Sequence, residues 1–256
     1  MKIIWFGTAT ISISHEEGSI LFDPFLPMNG MLPPPSISEL AALGDIFITH
    51  GHFDHLMHVA QVVQSGSSRV YCSETAAAKL LSEGLPQNRI ITIMPGDIIN
   101  NGPFKIKVFS GAHIRFDLPL IAKTLFSRRT CAHFKQFRTL TRLAKLYPQG
   151  EVIIYEIEAG GKKILHMGSM NLDPAEIYPT GSDLLTLPFQ GRSDLNTYAL
   201  KFIDKLKPKA LYLHHFDDSF PPVSNTINTS LFIRSVAATY PGLPVFVPDY
   251  KEVMIL

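Results

Sequence analysis

A chain of 256 residues with 46% hydrophobic content can bury the core of one sizeable domain. Its 23 Lys and Arg against 22 Asp and Glu leave a net charge of +1, so no global field argues for nucleic acid. Two cysteines, Cys72 and Cys131, are too few for a disulfide framework and imply a reducing compartment. No apolar run reaches the roughly eighteen residues that span a bilayer, and the expectation is a cytoplasmic protein.

The first segments, Lys2 to Gly7, Ile11 to Ser14 and Ile20 to Phe22, read as strands, because Ser, Thr and His interrupt them too often for a signal peptide. Asp23 then precedes Pro24, as a turn residue or as an acceptor for a histidine ring N–H. Met28 to Pro35 is a Pro-rich loop suited to the rim of a site. After the apolar run Ile46 to Ile48 comes Thr49-His50-Gly51-His52-Phe53-Asp54-His55. Neutral imidazole and carboxylate are ligands of Zn²⁺ and similar divalent ions. In an extended segment residues two apart point the same way, so His50 and His52 can converge on one ion. Asp54 and His55 follow as the chain turns into a helix predicted from Leu56, and can reach a second ion.

Glu74 to Glu83 predicts a helix ended by Gly84 and Pro86. Phe104 to Phe109 is a strand leading to Gly111-Ala112-His113, and Val152–Glu158 with Lys163–Met167 forms a hairpin around Gly160-Gly161. Leu184 to Pro188 is a further strand. Ser193 or Asp194 caps a helix running to about Leu206, and Leu211 to Leu213 is a strand before His214-His215-Phe216-Asp217. Thr226 to Tyr240 is expected to be the closing helix, with terminal strands over Val245 to Leu256. The alternation predicts an α/β domain.

The His-x-His-x-Asp-His pattern resembles the metallo-β-lactamase superfamily of metal-dependent hydrolases, and the Asp23-Pro24, His113 and His215 segments follow in the family's order. The resemblance covers nearly the whole chain. It implies a four-layer αββα sandwich over 1–256 with one or two metals where the sheets meet. His50, His52 and His113 then form the first site, and Asp54, His55 and His215 the second. His215 is preferred to His214 because His-aromatic-Asp matches the family's ending. The ions would be Zn²⁺, with Mn²⁺ or Fe as alternatives. The opening and ending look most like the branch with ascorbate-6-phosphate lactonase and N-acyl-phosphatidylethanolamine phospholipase D.

Where the family has Gly-Asp with a metal-bridging carboxylate, this chain has Gly168-Ser169. A neutral hydroxyl supplies no charge, so either the second position is weaker or occupancy falls to one ion. Asp173, four residues on, is a less favoured substitute. His58 and His166 read as structural, and His15 and His133 as solvated.

Between 114 and 149 the chain carries eight Lys or Arg against one acid, Asp117, a local charge of +7 that leaves 15 basic and 21 acidic residues elsewhere. At helical spacing Lys135, Arg138, Arg142 and Lys145 share one face, with Phe137, Leu140, Ala144 and Tyr147 opposite. This basic helical insert has three readings: a core-packed helix with a solvated face, a lid whose Arg138 and Arg142 meet an anionic small-molecule substrate, or a contact with anionic lipid. A bound ion would lower the pKa of its water to about 7, with Asp54 orienting that water for attack on a small ester, lactone or phosphodiester. The alternative is a metal-binding or ligand-sensing protein that has lost its chemistry, with Ser169 as the mark.

Overall fold

A computed structural model of the chain describes residues 1–28 and 34–256, so most of the Pro-rich stretch 28–35 lies outside the described residues. The first sheet is built from β1 (Lys2–Trp5), β2 (Ile11–His15), β3 (Gly18–Phe22), β4 (Asp45–Phe47), β5 (Val70–Cys72), β6 (Ile90–Thr92) and the last strand, β14 (Val253–Ile255). The second holds β7 (Ile98–Asn101), β8 (Phe104–Gly111), β9 (Val152–Ala159), β10 (Lys162–Met167), β11 (Leu184–Pro188), β12 (Leu211–His214) and β13 (Val245–Phe246). Their orders are β14-β1-β2-β3-β4-β5-β6 and β13-β12-β11-β10-β9-β8-β7. The expected terminal strands therefore part, one closing each sheet.

Period-two alternation explains why the sheets stack. Ile20, Phe22 and Phe47 face Tyr155, Ile164, Leu184 and Tyr212 in one buried cluster between the sheets. The intervening Leu21 and Ile46 turn outward, under helices α1 (Ile37–Ala41), α2 (Phe53–Leu56), α3 (Val59–Gln64) and α4 (Glu74–Ser82). On the second sheet Leu165, Leu185, Leu211 and Leu213 turn outward against Leu195, Phe202, Phe232 and Val236, from helices α8 (Leu195–Tyr198), α9 (Leu200–Leu206) and α10 (Ser230–Thr239). Buried strands with apolar side chains on both faces need cover on both, and the result is the expected αββα sandwich.

Several boundaries differ from expectation. The helix after the His motif starts at Phe53, not Leu56, so Asp54 and His55 sit within its first turn, with His52 as N-cap. The helix capped at Asp194 is interrupted at Ala199, and the closing helix begins at Ser230 rather than Thr226, because 226–229 forms a loop with Ile227 N–H bonded to Phe216 O. The insert is three helices: α5 (Leu118–Leu125), α6 (Arg128–Ala132) and α7 (Phe134–Leu146). On α7 Leu140 is buried and Leu143 packs on the first-sheet core, but Ala144 is exposed. The longer Leu143 reaches the core where a methyl would not.

Candidate metal centre

The donors come from the ends of β4, β8 and β12, where the two sheets open onto the same edge. His50, His52 and His113 form one group and Asp54, His55 and His215 another, with the donor atoms of each within 4.8 Å of one another. The groups adjoin: the imidazoles of His50 and His55 have centroids 3.9 Å apart.

Hydrogen bonds select the nitrogen that each imidazole turns inward. His50 Nε2 lies 3.1 Å from His52 Nδ1, as the extended spacing predicts. His113 uses Nδ1 on its neighbour's carbonyl, Ile114 O, at 2.8 Å, which leaves Nε2 for the cluster. His55 donates Nδ1–H to Asp23 Oδ2 at 2.8 Å, and its Nε2 lies 3.7 Å from Asp54 Oδ2. His215 Nε2 is 3.1 Å from that same oxygen. His215 has a left-handed backbone (φ 57°), and its N–H is fixed to Thr8 O at 2.8 Å. The strain of that conformation aims the ring at Asp54.

Asp23 reaches both groups. Besides His55 it accepts Thr49 N–H at 2.8 Å and the Thr49 hydroxyl at 2.6 Å. That hydroxyl in turn accepts from His50 Nδ1–H at 3.1 Å. A buried carboxylate thus orients a histidine of the second group directly and one of the first through Thr49. The sequence leaves Asp23 open between a turn residue and an acceptor for a histidine ring N–H, and it does not reveal Thr49, whose only sequence signal is its place before the first histidine. Gly168 belongs to the same packing, since a Cβ there would meet Thr49 Oγ1 at 2.0 Å.

Charge behaves as a ligand set requires. Burial, then the neighbouring imidazoles, hold His50 well below its ordinary value, and burial pushes His113 down to about 4. Burial likewise lowers His52, so all three are neutral donors. Burial alone would raise Asp54, yet His55 and His215 outweigh it and hold the carboxylate well below its usual range. Burial opposes a charge on His55, but Asp23 and Asp54 overcome it and raise its pKa. Six buried or half-buried donors with three neutral imidazoles beside a carboxylate pair of histidines suit divalent cations.

The other expected residues fall as follows. Ser169 is buried, its Oγ accepting Ile114 N–H at 2.9 Å, so it holds the segment just after His113. Asp173 accepts from Ser110 Oγ at 2.7 Å and Ala175 N–H at 2.9 Å, outside both donor groups. His58 accepts Leu26 N–H at 3.2 Å, and His166 meets Thr186 Oγ1 at 2.7 Å in the core. His214 bonds Met167 O at 3.0 Å, away from the donors. Asp217, unassigned from sequence, accepts Thr8 N–H at 3.0 Å and so braces the loop that holds His215. Arg138 and Arg142 are exposed on α7, and neither side chain has an ion-pair partner among the described residues. Exposed Phe116 meets the His113 ring edge-on at 5.8 Å, an apolar lip that motif reading missed.

Residues 19–216 match the model of the beta-lactamase superfamily domain. A UPF0173 protein of Pyrococcus abyssi is 25% identical, covering 84% of this chain and 83% of its own. A UPF0173 metal-dependent hydrolase of Cupriavidus taiwanensis is 27% identical over 88% and 77%. Among solved structures, a metallo hydrolase from Ignicoccus hospitalis is 16% identical with a TM-score of 0.66, over 99% of this chain and 97% of that one. An isothiocyanate hydrolase from Delia radicum gut bacteria, also 16% identical, gives 0.64 over 100% and 99%.

Proposed function

The chain belongs to the β-lactamase superfamily of metal-dependent hydrolases, and on that premise we propose that its two donor groups would hold a pair of Zn²⁺ ions and that the protein hydrolyses a small ester or lactone. The observation that carries the pair is the 3.9 Å contact between His50 and His55, which puts three donors on each side of a shared edge. His50, His52 and His113 would hold the first ion, and Asp54, His55 and His215 the second. When bound, such ions lower the pKa of a ligand water to about 7 and polarise the bond under attack.

The protein's own residues do the rest. Asp54, kept ionised by His55 and His215, accepts a hydrogen bond from the attacking water and fixes its direction. Asp23 and Thr49 keep His55 and His50 in the tautomers that face inward. Phe116 offers an apolar wall beside His113, suited to the carbon skeleton of a carboxylic ester. Two guanidiniums of this region are already held by carboxylates, Arg192 by Asp194 at 2.6 Å and Arg129 by Asp218. A phosphodiester would therefore depend on the exposed Arg115, Arg138 and Arg142 of the insert, and the uncharged ester is favoured because the side chain seen against His113 is the apolar Phe116.

Metal analysis with a panel of esters, lactones and phosphodiesters tests the proposal. Two ions per chain and turnover of carboxylic esters or lactones are expected. Turnover confined to phosphodiesters, falling in Arg138→Ala and Arg142→Ala, would overturn the ester assignment. One ion per chain at full activity would overturn the pair.

A further inference from the structure

Helix α5 is amphipathic the wrong way round. Leu118, Ile121 and Leu125 share one face at helical spacing and are 80%, 39% and 47% exposed, while Leu120 and Thr124 share the half-buried face. Nothing in the helix is buried. Its C-terminal end is tied to the next helix, because the Thr124 backbone O accepts from the hydroxyls of Ser127 and Thr130 at 3.2 and 2.6 Å. The helix is also fixed in orientation, because Asp117 Oδ1 caps Leu120 N–H while Oδ2 accepts the Ser193 hydroxyl. Phe126, directly after it, is 85% exposed. An anchored helix showing a row of large apolar groups to water has a cost of exposure that only a partner removes.

Charge selects the partner. Arg128 and Lys135 are exposed in the segments that follow this row, and the insert carries eight basic residues against one acid. Two copies meeting through this face would bring like charges together. An exposed row of Leu, Ile and Phe in a segment rich in Lys and Arg is the pattern that lies on an anionic bilayer.

We propose that the insert is a peripheral membrane anchor, in which Leu118, Ile121, Leu125 and Phe126 enter the headgroup boundary of an anionic bilayer while Arg128 and Lys135 meet the lipid phosphates. No helix among the described residues is long and apolar enough to cross a membrane, so the contact is one of surface attachment. It brings the lipid surface to the segment that starts directly after His113.

Sedimentation of the whole protein with phosphatidylglycerol vesicles, phosphatidylcholine vesicles and no lipid tests this. Binding to phosphatidylglycerol should exceed binding to phosphatidylcholine by at least about tenfold and weaken as salt screens the charges. Combined Leu118→Ser, Ile121→Ser, Leu125→Ser and Phe126→Ser should reduce it by at least about tenfold, with unchanged circular dichroism and metal content. Ile177→Ser, which alters an exposed apolar residue outside the insert, should bind as wild type. The proposal is overturned if the wild type ignores phosphatidylglycerol at low salt, or if the fourfold variant binds as well as wild type. It is equally overturned if the wild type is a lipid-free dimer that the fourfold variant converts to monomer, which would assign the face to a second copy.

Discussion

The first donor group is three neutral imidazoles, two from the loop after β4 and one from the start of the insert. The second combines a carboxylate with two imidazoles and is braced from several sides: His55 by Asp23, and His215 by Thr8, whose own N–H bonds Asp217. In the first group His113 is steadied through its neighbour, Ile114, by Ser169. The second group is therefore rigid and anionic, while the first is uncharged and coupled to the insert. Two positions so unequal should not bind or release ions alike.

The comparison breaks most completely when a ligand goes. His50→Ala or His52→Ala should empty the first position and abolish most activity while the domain stays folded, since the core clusters do not depend on the ion. The second position should retain its metal. Metal content and thermal unfolding together check this, and full content in both variants would remove the first group from consideration.

Asp23 sharpens the comparison because it serves both groups. Asp23→Asn should weaken both positions by about 10–100-fold, whereas Thr49→Val, which removes the relay to His50 but leaves the direct His55–Asp23 bond, should weaken mainly the first. Stepwise release to a competing chelator separates the two. If Asp23→Asn loosens one position alone, the shared orientation is wrong.

Much of this was legible in the residues. The hairpin around Gly160-Gly161 rests on local turn chemistry and forms as expected; the motif and the family's ending marked His50 to His55 and His215, and the structure brings those side chains together while His214 turns to Met167 O. The helix start at Phe53 was missed because Phe53 reads equally well as a strand residue, and His52 caps through its backbone with no side-chain bond. Thr49 and Asp217 were invisible as supports because their partners lie 26 and 209 positions away. The insert misled for another reason. Its basic face drew attention to α7, yet the exposed apolar row lies on α5, where composition alone reads as a core helix.

Beneath the metal edge, His166 makes an acid-dependent contribution of its own. Burial pushes it down to about 4 from an ordinary 6.5. The unfolded chain takes up this proton below about pH 6.5, which the folded protein refuses until about pH 4. Stability from this group is therefore whole above pH 6.5 and is lost as the pH falls toward 4, by up to about 3 kcal/mol. Urea unfolding of metal-free protein between pH 7 and pH 4 should fall less steeply, by one proton's share, in His166→Gln. An unchanged slope would mean that His166 does not titrate with unfolding.

The smallest expected effect tests the asymmetry at its weakest link. Ser169→Ala removes the acceptor of Ile114 N–H and should cost about 1–2 kcal/mol. It should also loosen the first position in preference to the second, because Ile114 adjoins His113. Ser169→Asp keeps an acceptor for that N–H and adds a negative charge to the edge where the groups meet. If Ser169 also faces the space between them, the carboxylate attracts both cations and its desolvation is offset by coordination. If the absent carboxylate makes the second position the first to empty, that position gains most and the gap between the two release steps narrows. If release is unchanged while Ser169→Ala still loosens the first position, the residue acts only through Ile114. The two substitutions together thus separate a hydroxyl that merely holds the His113 segment from one that occupies the place of a bridging acid.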